Sequence, residues 1–147
     1  MTRHEPRVGD LFTVRGRRLV GRVVSTEAIV GPTHGCVLVH LYADGRLSPD
    51  ALLVPPLLTT RAPWSHGLFE HLRSEPWRTH PGRHCFQDAS GRFVDELGRP
   101  LAAPFAPVGE YRLHGVDAIE ELLAQAPGGY DAPPPGEQED DDPLKWS

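Results

Sequence analysis

The sequence predicts an α+β fold, mostly antiparallel β, with one C-terminal helix. Three observations carry this. Apolar residues recur in short stretches of near-twofold period, bounded by Gly-, Pro- and Asp-containing turns. Only residues 116–126 show an unambiguous helical stripe. The strand-like stretches all precede that helix, which argues against alternating βαβ units. The expected sheet is strongly bent or forms a partial barrel.

Residues 8–15, VGDLFTVR, read as the first strand, and Arg15-Gly16-Arg17 as a tight turn. Residues 18–26 return as the second strand. Gly21 inside it suggests a bulge or a close backbone approach. Gly31-Pro32 is the next turn. Residues 35–42, GCVLVHLY, are nearly continuously apolar, so burial on both faces is expected.

Ala43-Asp44-Gly45 signals a turn and residues 46–51 a loop. The most hydrophobic and aromatic-rich stretch is 52–77. Leu52 to Val54 reads as a short strand. Pro55-Pro56 donate no backbone hydrogen bonds, so this strand ends there or lies at an edge. Leu57 to Thr60 can resume it. In residues 65–74, Leu68, Phe69 and Leu72 have helical spacing and Ser65 could cap a short helix, but Gly67 leaves a strand open as well.

Residues 76–83 are a loop. Residues 84–88 and 92–96 pair as a hairpin about Ser90-Gly91. Residues 109–115 read as a last strand. Residues 116–126 form the helix, with Val116, Ile119, Leu122 and Leu123 on one stripe and Pro127-Gly128-Gly129 as its stop. No internal repeat stands out.

One domain is expected over residues 1–129. Residues 130–147 read as an acidic, Pro-rich, disordered tail. The chain of 147 residues has net charge −5, and the tail accounts for it: six acids against Lys145. The body is balanced, so it is not a basic nucleic-acid binder. Only Arg15, Arg17, Arg18 and Arg22 argue for a nucleic-acid-associated β-barrel module. No apolar stretch is long enough to span a bilayer and no export signal is visible. A cytoplasmic chain is therefore expected, with Cys36 and Cys85 as thiols and not a disulfide.

Chemistry is hard to find in the sequence. His80, His84 and Cys85 are interrupted by Pro81-Gly82, and His66 and His71 have poor helical spacing. No CxxC, HExxH, GxSxG or phosphate-loop pattern occurs. We expect no catalytic residue, no metal and no cofactor. Trp64, Phe69 and Trp77 can be core or interface. Trp and Arg are frequent interface anchors, so the candidate contact residues are Arg61, Trp64, Arg73, Trp77 and Arg78. In the tail they are Asp140, Asp141 and Asp142, by charge complementarity to a basic partner.

Gly9-Asp10-Leu11-Phe12, then Gly21-Arg22-Val23, then Trp64 and Gly67 leading into Glu75-Pro76, form a series that resembles the immunity protein 26 family. These are small cytoplasmic antidotes of bacterial polymorphic toxin systems. The resemblance covers residues 8–77 and, more loosely, extends to 125. It implies a non-enzymatic protein that binds and neutralises a cognate toxin. A general protein-interaction module is the alternative.

Overall fold

The computed structural model describes residues 5–17, 19–43, 52–75 and 83–125. Several expected features lie outside them: the turn at Asp44-Gly45, the loops at 46–51 and 76–82, the helix stop at Pro127 and the acidic tail.

Four strands run as an antiparallel meander: β1 (Asp10–Val14), β2 (Leu19–Val30), β3 (Thr33–Ala43) and β4 (Leu57–Thr59). A single helical turn, α1 (Ala62–Ser65), then carries the chain across to β5 (Phe69–Ser74), which pairs with β1. The strand order is β4-β3-β2-β1-β5, so β4 and β5 are the edges and the sheet is open. Beyond it, β6 (Cys85–Gln87) pairs antiparallel with β7 (Phe93–Val94) and parallel with β8 (Val108–Glu110). Helix α2 (Val116–Ala124) follows. The fold is thus α+β and mainly antiparallel, as the sequence predicts.

Gly16 and Gly31 turn the first two hairpins with φ of 77° and 59°, values that L side chains avoid. The β3 strand is buried on both faces. Val37, Val39 and Leu41 point one way, and Cys36 and Leu38 the other. Phe12, Val23, Leu57, Trp64, Phe69, Ile119 and Leu123 complete the first core, so α1 and α2 cover that face. Val24, Ala28, Leu58, Phe86 and Val94 make the second core, under the three-stranded sheet. Fully burying one such side chain stabilises by about 1.5–3 kcal/mol. Two cores on one sheet therefore explain why β3 has so few polar residues.

β2 serves both cores because successive side chains of a strand point to opposite faces, Val23 into the first core and Val24 into the second. Val23 pairs with Val39 and Ser25 with Leu38, which leaves Val24 as the extra residue. An extra residue of this kind bends its strand and sharpens the local twist. The bulge at Val24 lies three residues beyond Gly21, where the sequence suggested one; at Gly21 itself the pairing is regular.

Other expectations are corrected. Leu52 makes only a bridge to Tyr42, and β4 begins at Leu57. Ser65 ends α1 instead of capping a helix, and of the readings left open for residues 65–74 the strand holds, over 69–74. Leu72 lies between His71, opposite Phe12, and Arg73, opposite Leu11. It is the unpaired residue of a bulge and is 45% exposed. The last strand is short and parallel to β6. Beyond it Tyr111 turns away to donate its hydroxyl hydrogen bond to Ile29 O.

A repeat not foreseen in the sequence also emerges. Asp88-Ala89-Ser90-Gly91-Arg92 and Asp95-Glu96-Leu97-Gly98-Arg99 fold alike. In each, the aspartate Oδ1 accepts N–H bonds from positions two and four ahead. Gly91 and Gly98 both have positive φ. Each arginine then reaches back to its own aspartate, at 3.7 and 3.1 Å. These tandem turns build the hairpins of the small sheet.

Candidate functional site

The residues of the resemblance, scattered along the chain from Gly9 to Glu75, converge. Phe12 stands opposite Gly21 and stacks on Phe69 at 4.3 Å. Trp64 meets both rings edge-on, at 5.3 Å from Phe12 and 5.0 Å from Phe69. Edge-to-face geometry suits the quadrupoles of aromatic rings. Gly67, with φ 82°, turns the chain from α1 into β5. On the other face, Arg22 Nη2 donates to Glu75 O at 2.6 Å, and Ser74 Oγ donates to Asp10 Oδ1 at 2.7 Å. Asp10 also faces His71 at 3.8 Å and accepts from Arg7 N.

The expected contact residues separate. Trp64 is only 3% exposed, so it belongs to the core and is withdrawn from the contact surface. Arg61 is exposed beyond β4, where it donates to Gly35 O and pairs with Glu5 at 3.3 Å. Arg73 is exposed on β5, beside Glu75 at 3.3 Å. The two arginines thus sit at opposite edges of the strand order. Trp77, Arg78, Asp140, Asp141 and Asp142 lie outside the described residues.

The two edges differ in cover. His114 N donates to Leu58 O, and Thr59 Oγ1 donates to His114 O, so the segment before α2 shields β4. Among the described residues no strand pairs with the outer side of β5. Its positions after Phe69 all face solvent. The bulge at Leu72 interrupts the ladder there, a device that discourages indiscriminate strand pairing. What β5 offers is therefore a row of side chains: Glu70, His71, Leu72 and Arg73.

Sequence reasoning missed a second feature, a buried polar row between the sheets. His40 Nε2 lies 3.0 Å from His84 Nε2, and both residues are 6% exposed. The His40 Nδ1 lies 3.3 Å from the Tyr42 hydroxyl. The His84 backbone N–H donates to Glu96 Oε1, and the His84 ring nitrogen Nδ1 stands 3.9 Å from Glu96 Oε2, too far for a hydrogen bond. One tautomer assignment serves the Tyr42–His40–His84 contacts: the tyrosine donates to Nδ1 of His40, whose Nε2–H donates to His84, while His84 Nδ1 is left without a hydrogen-bond partner among the described residues.

Electrostatics follow from burial. The His40 pKa is lowered to about 4, first by burial, then by the neighbouring His84 and Arg22. Burial raises the Tyr42 hydroxyl, against a smaller opposing effect of Arg22. For Glu96, burial acts to raise the pKa, but the His84 ring and backbone N–H outweigh it and the carboxyl is held below its ordinary value. The signal in the sequence is slight: a single His inside the apolar run VLVHLY.

Among the described residues, no three His, Cys, Asp or Glu side chains gather closely enough to hold a metal. Cys36 and Cys85 are free and buried. Two adjoining grooves, of ≈ 390 and ≈ 500 Å³, flank Tyr111 and Arg112, away from the histidine row. Among the described residues no helix is long and apolar enough to cross a membrane. Comparison with protein-family models, with curated proteins and with solved structures finds no match.

Proposed function

We propose that the chain is a non-enzymatic immunity protein that binds and neutralises a cognate bacterial toxin in the cytoplasm. The supporting observation is the convergence just described. The residues of the resemblance form one framework, in which Phe12, Gly21 and Trp64 set the core while Asp10, Arg22 and Glu75 tie β5 to its neighbours. A family signature made of scaffold residues leaves the outer surface free to vary with the toxin.

The contact surface under this reading is β5. Leu72 is an exposed apolar residue beside Arg73, and arginine is among the residues enriched at the energetic centres of protein interfaces. A stable interface needs about 800 Å² per partner, more than one strand supplies. Asp140, Asp141 and Asp142 extend it by attracting a basic toxin, which speeds association. Deleting residues 131–147 then slows association in a salt-dependent manner.

The deciding experiment is co-expression with a toxin-domain protein encoded by an adjacent gene. Rescue of growth, with a co-purifying complex, is expected. Absence of both rescue and complex overturns the reading. A general protein-interaction module would use the same surface without protecting the cell.

A further inference from the structure

We propose that His40 and His84 form an acid-sensitive latch that holds the three-stranded sheet against the five-stranded sheet. His40 lies on β3 and His84 immediately precedes β6, so their 3.0 Å contact joins the two sheets directly. An N–H···N bond holds one proton between two nitrogens. Protonating both rings replaces that bond with two positive charges in a site that is 6% exposed for each residue.

The surroundings make the second proton unwelcome. Among the described residues, Arg22 faces His40 from β2 as its cross-strand partner. From β3 itself comes Tyr42, and from the small sheet Glu96. β1 contributes Leu11, which shares the cross-strand row through Arg22. Glu96 offsets charge on the His84 side of the pair. On the His40 side Tyr42 is neutral and Arg22 adds to the repulsion.

The sign is fixed by linkage. His40 in the folded chain resists protonation down to about pH 4, whereas the opened chain takes the proton near 6.5. The latch is therefore fully closed above pH 6.5 and weakens as pH falls toward 4. The opening equilibrium gains at most about tenfold per pH unit, on the order of a hundredfold over the window.

The test is hydrogen exchange by NMR on the full chain between pH 6.5 and 4, corrected for intrinsic exchange. It compares amides of β6 and β7 with those of β1, in the parent and in His40→Gln. The glutamine amide can still donate to His84 but cannot take a charge. We expect protection of β6 and β7 to fall about a hundredfold in the parent while β1 holds, and the fall to vanish in the variant. An equal fall in both proteins, or joint loss of β1 and β6 protection, overturns the latch. Should the variant not fold, NMR titration of the parent imidazoles decides: His40 titrating below pH 5 supports the proposal, and His40 titrating near 6.5 overturns it.

Discussion

The ring of Phe12 occupies the space that a side chain at position 21 would need. A β-carbon built on Gly21 would come within 3.0 Å of three ring carbons of Phe12. The two residues are direct cross-strand partners, and the ring lies over the glycine. Gly21→Ala is therefore an overpacking change, expected to destabilise by about 1–3 kcal/mol in urea denaturation. Combining it with Phe12→Leu should cost less than the two single changes summed. Strict additivity would show that the ring does not exclude the β-carbon.

The tandem turns give a second expectation. Asp95 is 4% exposed and accepts hydrogen bonds from Leu97 N and Arg99 N, both at 2.9 Å. Asp95→Ala removes a buried acceptor from two part-buried N–H donors, so a loss of about 1–3 kcal/mol is expected. Asp88→Ala, in the more open copy, should cost less. The Asp88 carboxyl is held below its ordinary value by the Ser90 side chain first, then by the Arg92 backbone N–H. A depressed carboxylate stabilises above its unfolded pKa and ceases to do so as pH falls through its folded value. The difference between parent and Asp88→Ala should accordingly narrow below about pH 4, as acid-unfolding curves would reveal.

At β5, stability and binding should separate. Leu72→Ser and Arg73→Glu alter exposed side chains and should each change stability by no more than about 0.5 kcal/mol. Under the proposed function, each should weaken affinity for the toxin about tenfold or more, measured by calorimetry. Unchanged affinity in both would move the contact surface elsewhere.

The thiols should be silent in the native state. Burial raises the Cys36 pKa, outweighing the Val30 backbone contact and Arg61, and Cys85 is 0% exposed. Only the thiolate reacts. Labelling by a disulfide reagent at pH 8 should be slow in the folded protein and complete within seconds to minutes in denaturant. Rapid native labelling would contradict the burial.

Much of this fold is legible because its signals are local. Gly16 and Gly31 mark turns that a neighbouring pair of strands requires. The run from Cys36 to Tyr42 announces a strand covered on both sides, and Val116, Ile119, Leu122 and Leu123 announce the helix. The errors and the choices left open arise where the deciding partner is remote. Leu68, Phe69 and Leu72 mimic a helical stripe, yet β1 recruits Phe69 and a bulge expels Leu72. Tyr111 alternates like a strand residue, but Ile29 and Gly31, about 80 positions away, capture its hydroxyl. The repeated Asp-x-x-Gly-Arg stands in plain view, but each copy reads alone as an ordinary turn. His40 and His84 stand 44 positions apart, with nothing in either neighbourhood to announce the other.

The pairing of β1 with β5 carries a consequence for how the chain is made. Leu11 cannot meet Arg73 until about sixty further residues have left the ribosome. The β1–β2–β3 meander has its turns and partners early, so it can assemble while synthesis continues. Throughout that interval one side of β1 is an open ladder beside the uncovered ring of Phe12. That is the kind of surface which recruits chaperones or neighbouring nascent chains. The arrival of β5, with Trp64 swinging over Phe12 on α1, closes it. Translation speed between residues 14 and 74 thus governs how long the growing chain remains adhesive.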